Sequence, residues 1–226
     1  MPVGAVLFSE MTPEPSWEDR FNHWYDAEHI PLRMTAPGFL GAQRYRAEAG
    51  SGYLAVYDMA STDALTTPDY TRIKTQPSDE TAWMLGHVSG FTRYIGSLIS
   101  WQAQPGIGDA EMLASPVLFA VMFNVPRDRQ EDFNRWYVEE HVPLLLGSPD
   151  WLGCRRYELT IADPHPYTHL ALHHLRSADA LKSEAREKAR STDWRKALAA
   201  EPWFNGHYAV FERHNARFNA RAEARS

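Results

Sequence analysis

"FNHWYDAEHIPL" (Phe21–Leu32) and "FNRWYVEEHVPL" (Phe133–Leu144) are nearly one segment written twice. The offset of 112 that relates them also pairs Gly41 with Gly153 and Arg44-Tyr45 with Arg156-Tyr157. Farther on, "STDAL" from Ser61 matches "SADAL" from Ser177 at an offset of 116, so the second copy carries about four extra residues in "TIADPHPY" between Thr160 and Tyr167. A repeat of roughly 110 residues is too long and too few for a solenoid, so it marks a duplicated domain.

Each copy reads strand, helix, strand, strand, helix, strand. In the first, "VGAVLFSEM" is β-rich, and "PEPSWEDRF" carries the proline and carboxylates suited to a helix start. That helix is expected to stop near Ile30, because Pro31 lacks an N–H and clashes with the preceding turn. "GFLGAQRYRA" and "GYLAVYDMA" form a hairpin pair, "STDALTTPDYTRIKTQ" opens a second helix at its Ser/Thr/Asp cluster, and "FTRYIGSLISW" closes the copy as a strand. The expected division is a first βαββαβ repeat over 1–101, a linker over 102–115, a second repeat over 116–215 and a polar tail over 216–226. A βαββαβ unit covers one sheet face with helices and leaves the other open, so each sheet needs the other repeat as cover.

The 226 residues include 8 Trp and 10 Tyr, enough aromatic surface to line a pocket as well as fill a core. The net charge of −6 argues against nucleic acid and anionic membrane as partners. Cys154 is alone, which removes both an intrachain disulfide and a cysteine-rich metal site. With no signal-type start and no long apolar run, a cytoplasmic protein is expected. Its partner would be a small-molecule substrate, and homo-oligomerisation is left open.

The W-Y-x-x-E-H-[IV]-P helix end, set within a βαββαβ unit, resembles the EthD-like branch of the dimeric α/β-barrel (ferredoxin-like) superfamily. The resemblance spans both copies. It implies an α+β fold in which two ferredoxin-like βαββαβ repeats pack in a dimeric-α/β-barrel-type arrangement within one chain. It also implies a small-molecule pocket between sheet and helices in each half, often with His as acid or base. Relatives include polyketide cyclases, decarboxylases, dehydratases, muconolactone-type isomerases, cofactor-free monooxygenases and haem enzymes, so the fold leaves the chemistry open.

Projected at about 100° per residue, Phe21, Trp24, Tyr25 and Leu32 form an apolar stripe near 0°. Glu28 falls at about 340°, inside the stripe, and His29 at about 80°, on its shoulder beside Asn22. Glu140, His141 and Asn134 repeat the pattern. A carboxylate within a buried stripe needs a partner, and Arg44 or Arg156 on the next strand is the expected one. The Glu then has either a structural or an orienting role, and His29 and His141 are the candidate acid or base groups. On the third strands, Tyr53 and Tyr57 align with His169 and His173, and all four are expected to point into the barrel interior, away from the helices. Tyr25, Tyr137 and His207 complete the candidate substrate contacts. His169 and His173 would stand about 13 Å apart at ~3.3 Å per residue, too far to share an ion, so no metal and no cofactor is expected. The charged stretch "KSEAREKARSTDWRK" (Lys182–Lys196) reads as the solvated face of a helix.

The leading expectation is a cofactor-independent enzyme of lyase, decarboxylase, cyclase or isomerase type acting on an aromatic or polyketide-like metabolite. The alternatives are a cofactor-free quinol-type monooxygenase and a non-catalytic binding or assembly protein.

Overall fold

The computed structural model describes residues 2–220. Two compact units emerge, one holding the residues up to Ser97 together with those from His214 on, the other Leu98–Arg213. The fold class is α+β, and each repeat is a βαββαβ-like half.

In the first unit β1 (Ala5–Met11) lies between β3 (Tyr53–Met59) and β4 (Arg93–Ala103), and β2 (Phe39–Ala47) pairs with β3, all antiparallel. The order β4-β1-β3-β2 is that of a split βαββαβ sheet. The second unit repeats it, with β5 (Val117–Phe123) between β7 (His169–Leu175) and β8 (His207–Asn219), and β6 (Trp151–Asp163) on the far side of β7.

Each unit also holds the end of a strand that began in the other. β8 continues past Arg213 beside β2, where Arg217 pairs with Asp58 at 2.6 Å and Ala220 donates its N–H to the Leu40 carbonyl at 3.1 Å. β4 continues past Ser97 beside β6, and Gln104 donates to the Leu152 carbonyl at 2.9 Å. Neither β2 nor β6 is therefore left as a bare edge. Residues 216–219 of the expected polar tail are thus strand; the rest of it, from 221, lies outside the described residues.

These ends explain the glycine shared by the repeats. Gly41 and Gly153 each sit at a bulge in pairing with the adjacent strand. A Cβ on Gly41 would stand 3.0 Å from the Phe218 carbonyl and closer still to Arg217; one on Gly153 would stand 2.7 Å from the Gln102 carbonyl and run into Met112. Only a residue without a side chain admits the neighbouring backbone.

The first helical run is α1 (Glu18–Trp24), a π turn over Tyr25–His29, and α2 (Ile30–Arg33). It does not end at Pro31 as expected. In the π turn the Ile30 N–H reaches back five residues to the Tyr25 carbonyl, and the widened turn absorbs the proline, which then opens α2. The second helical stretch is two helices, α3 (Pro68–Thr75) and α4 (Asp79–His87), capped by Thr67 and Ser78. In the second unit a short α5 (Asp109–Leu113) precedes the repeat. Then come α6 (Gln130–Trp136), a π turn over Tyr137–His141, α7 (Val142–Leu145), α8 (Glu184–Ser191) and α9 (Asp193–Ala199).

Phe21, Trp24 and Tyr25 pack with Tyr53, Ala55 and Tyr57 in one apolar cluster, and Phe133, Trp136 and Tyr137 pack with Ala171 in another. Tyr53, Tyr57, His169 and His173 therefore face the helices. The expected orientation is reversed, with Leu54, Val56, Leu170 and Leu172 on the opposite face. Large aromatics and histidines stand on the helix side because that is where the space for them lies. Among the described residues no helix is long and apolar enough to cross a membrane.

Candidate active site

The π turn decides which member of the Glu-His pair is inside. It acts as a one-residue insertion, turning everything after it back by about 100° relative to a regular helix. His29 thereby moves from the shoulder to the buried face, where it is 2% exposed, and Glu28 moves off it. The expected Glu28–Arg44 pair is not formed. Glu28 instead accepts the hydroxyls of Ser78 and Thr81, the latter at 2.8 Å, and Glu140 accepts Thr192 Oγ1 at 2.6 Å. Ser78 and Thr192 are the N-caps of α4 and α9, so each Glu braces a cap.

Arg44 and Arg156 lie beneath the first helix of their own unit. Arg44 donates to Asp26 at 2.8 Å and to Asn22 at 2.6 Å, with its guanidinium 4.6 Å from the Tyr25 ring centre. Asn22 also donates to Tyr53 Oη, which donates to Glu18 at 2.5 Å. Arg156 donates to Asn134 at 2.5 Å and lies 4.2 Å from the Tyr137 ring centre. Val138 occupies the position of Asp26 in this repeat, and burial lowers the Arg156 pKa. His169, the counterpart of Tyr53, shares Nδ1 with Thr168 at 2.9 Å; burial, with Arg156 nearby, lowers its pKa to about 4. These residues hold helix to sheet and line neither of the two cavities between sheet and helices. His207 is exposed and stacks on Tyr167.

Among the described residues each unit holds a cavity between sheet and helices. The first, about 230 Å³, is reached by Tyr25, His29 and Tyr57, with Ser9, Tyr70 and Thr81 among its polar walls and Arg33, Lys74 and Arg93 as its cations. The second, about 360 Å³, is reached by Tyr137, His141 and His173. Phe119, Trp136, Trp151, Phe204 and Tyr208 supply its aromatic walls, and Arg186, Arg190 and Arg195 its charge. Of the candidate residues, then, Tyr25, His29, Tyr57, Tyr137, His141 and His173 meet at cavities.

A hydrogen-bond relay sets the proton positions in the second cavity. Trp151 Nε1 donates to His173 Nδ1 at 3.1 Å. An indole N–H can only donate, so Nδ1 is the lone-pair nitrogen and the imidazole proton sits on Nε2. Nε2 lies 3.2 Å from Tyr137 Oη and donates to it, which leaves the phenolic hydrogen free for an acceptor in the cavity. Burial holds His173 neutral, well below the usual imidazole range, and raises Tyr137 well above that of a phenol. The first repeat lacks this relay, since Phe39 and Tyr57 stand where Trp151 and His173 stand in the second.

His141 is also neutral. Burial lowers its pKa to about 3, the Ala189 carbonyl acts in the opposite sense, and Arg195, Arg156 and Arg186 reinforce the depression. Its Nδ1 is buried without a protein partner, as is that of His29. A haem would need an imidazole nitrogen aimed from the cavity floor, but His173 has both nitrogens engaged. His173 therefore cannot hold that group, which leaves the unpartnered Nδ1 of His141 as the imidazole nitrogen that would hold it in this cavity, and no chemistry is derived through it. Among the described residues no three His, Cys, Asp or Glu side chains are grouped to hold a metal ion.

The arginines were missed in the sequence because "KSEAREKARSTDWRK" is not one helix. Ser183 caps α8 and Thr192 caps α9, and the break turns Arg186, Arg190 and Arg195 to the cavity. Trp136 is the other residue overlooked. In the first repeat Trp24 Nε1 donates to Thr81 at 3.0 Å; in the second, Arg195 follows its cap as Thr81 does, and the buried Trp136 Nε1 has no protein partner. Leaving such a donor unpaired costs about 1–3 kcal/mol, which an acceptor in the cavity would offset.

No family model matches the sequence, and no curated protein matches it. Solved structures match the fold. An anthrone oxidase-like protein is 12% identical, with 98% of this chain and 95% of that chain covered, at a TM-score of 0.71. A candidate monooxygenase of Fusobacterium nucleatum is 10% identical over 96% and 94%, at 0.63. Chlorite dismutase of Candidatus Nitrospira defluvii is 9% identical over 94% and 91%, at 0.60. At such identities the likeness is one of fold, the dimeric α/β-barrel fold with its two repeats in one chain.

Proposed function

We propose that the chain is a cofactor-independent oxygenase whose second-repeat cavity converts an activated C–H of an anthrone- or quinol-like aromatic to a carbonyl. This takes the monooxygenase alternative above the lyase or isomerase expectation, because the structural neighbours include an anthrone oxidase-like protein and candidate monooxygenases. The repeated E-H-[IV]-P helix end keeps the EthD-like branch as the proposed affiliation.

The observation that carries the reading is the Trp151–His173–Tyr137 relay beside a neutral His141, whose ring centre lies 5.1 Å from that of Tyr137, on the wall of an aromatic cavity. Substrate carbonyl oxygen would accept the Tyr137 hydrogen while His141 removes a proton from the adjacent carbon. The resulting enolate is stabilised by the cations around it. Burial chiefly keeps His141 unprotonated, and Arg195 and Arg186 of the cavity wall add to it; an enolate would offset their charge, so imidazolium becomes more favourable as the anion forms. The electron-rich carbon is then oxidised by dioxygen, a methylene plus O2 giving a carbonyl plus water.

The test is oxygen uptake with anthrone as substrate, followed against quinone formation, with oxygen-18 entering the product from labelled O2. His141→Ala and Tyr137→Phe are expected to lower kcat about 10²-fold or more, as for loss of a general base or an oxyanion donor. His29→Ala is expected to leave turnover within a few-fold. Turnover without oxygen would restore the lyase reading, and no turnover of any aromatic ketone would favour a binding protein.

A further inference from the structure

We propose that the molecule bound in the second-repeat cavity carries a carboxylate, held between Arg186 and Arg195 at the inner end of an arginine-lined mouth. The inference rests on that cavity being the working site and names the class of substrate it takes.

The polar groups on the cavity wall are nearly all donors. Three guanidinium groups reach it, the Tyr137 hydrogen is free, and the buried Trp136 Nε1 has no protein partner. No Asp or Glu lines it among the described residues, and none forms an ion pair with Arg186, Arg190 or Arg195. Arg186 is fixed by donating to the Leu181 carbonyl at 2.8 Å, and Arg195 lies 4.5 Å from the Phe204 ring centre. Both are half-buried, whereas Arg190 is exposed at the rim. Burial and like charge lower the Arg186 pKa, and burial lowers that of Arg195. Guanidinium groups gathered without a carboxylate are poised for an anion from solution, and their planar fork matches a carboxylate in a bidentate pair.

Divergence between the repeats points the same way. At corresponding helix positions the first repeat has Tyr70, Lys74 and Thr81 where the second has Arg186, Arg190 and Arg195. In the first repeat Thr81 occupies the Trp24 indole and a carboxylate together. The exchange of Thr for Arg in the second frees an indole donor and adds a cation in one step.

Binding can be read without turnover from quenching of tryptophan fluorescence, since Trp136 and Trp151 line the cavity. The probes are 2-naphthoate and its neutral counterpart 2-naphthalenemethanol. The expected result is naphthoate bound about tenfold or more tightly than the alcohol, as suits a charge-assisted bidentate contact. The preference should shrink in Arg195→Gln and vanish in the Arg186→Gln, Arg195→Gln double variant, with alcohol affinity unchanged. Equal affinity for the two probes in the wild type, or no binding of either, would overturn the proposal without recourse to any variant. A preference that survives in a folded double variant, checked by circular dichroism, would do so too. Naphthoate preference without oxygen uptake on any substrate would remove the oxygenase reading and keep the carboxylate site; oxygen uptake with no preference would do the reverse.

Discussion

Trp151 donates its indole N–H to Nδ1 of His173 at 3.1 Å, and that one bond fixes the tautomer of a buried imidazole. Its removal should be visible directly. In Trp151→Phe, His173 loses the donor that reserves Nδ1 as lone pair, and the Nε2–H form loses its advantage. Nitrogen-15 spectra should show a single Nε2–H tautomer in the wild type from pH 6 to 8 and a mixture in the variant. A stability loss of about 3 kcal/mol is expected from the large-to-small change and the lost hydrogen bond. An unchanged tautomer would mean that Trp151 is mere packing.

Glu140 supports a helix end, so its loss should be read in stability more than in ligand binding. Glu140→Ala removes the acceptor of the Thr192 hydroxyl, and about 1 kcal/mol should disappear from the urea unfolding free energy. Glu28→Ala should cost more, because both Ser78 and Thr81 lose a charged acceptor. Naphthoate affinity of Glu140→Ala within a few-fold of wild type would agree with the bracing role; a hundredfold loss in a folded variant would not.

Asp26 is the only carboxylate paired with the buried Arg44 among the described residues. Asp26→Ala leaves that cation with Asn22 alone, and about 2–4 kcal/mol of destabilisation is expected. The second repeat offers the converse: Val138→Asp would give Arg156 the partner that Arg44 has, and should raise the thermal midpoint. A fall in the midpoint would show that Arg156 gains nothing from a countercharge there.

Acid should destabilise the protein in a defined window. His29, His141, His169 and His173 all have pKa values below the usual 6.5, with burial as the largest cause in each case. A histidine depressed in the folded state binds its proton more readily when unfolded. Its contribution is therefore complete above about pH 6.5 and is lost as pH falls through the folded value. For His169, at about 4, the loss runs from pH 6.5 to near 4 and amounts to at most about 3 kcal/mol. His169→Phe should flatten the stability profile between pH 6.5 and 4; an unaltered slope would remove His169 from the account.

The repeat, the βαββαβ order and the histidines at the helix end were legible because they depend on local pattern and on self-comparison. The orientation of the Glu-His pair was not, because helical projection assumes 3.6 residues per turn and Tyr25–His29 does not obey it. The direction of Tyr57 and His173 was misjudged because alternation along a strand separates two faces without saying which one meets a helix. Arg186 and Arg195 were hidden by composition: a mixed-charge stretch looks solvated until Thr192 is seen to break it. The Trp151 relay joins residues on β6 and β7 to one on the helix, and no local signal announces it.

The widened turn also changes what length variation would mean in this chain. A residue gained or lost in a loop alters only its reach, but one deleted between Trp24 and His29, or between Trp136 and His141, would restore the regular period. The imidazole would nevertheless stay on the buried face and the carboxylate off it, because the lost residue and the lost bulge cancel; only a regular turn at the present length would exchange them. The site is thus specified by the match between chain length and turn type in that pentapeptide, as much as by the identity of its residues.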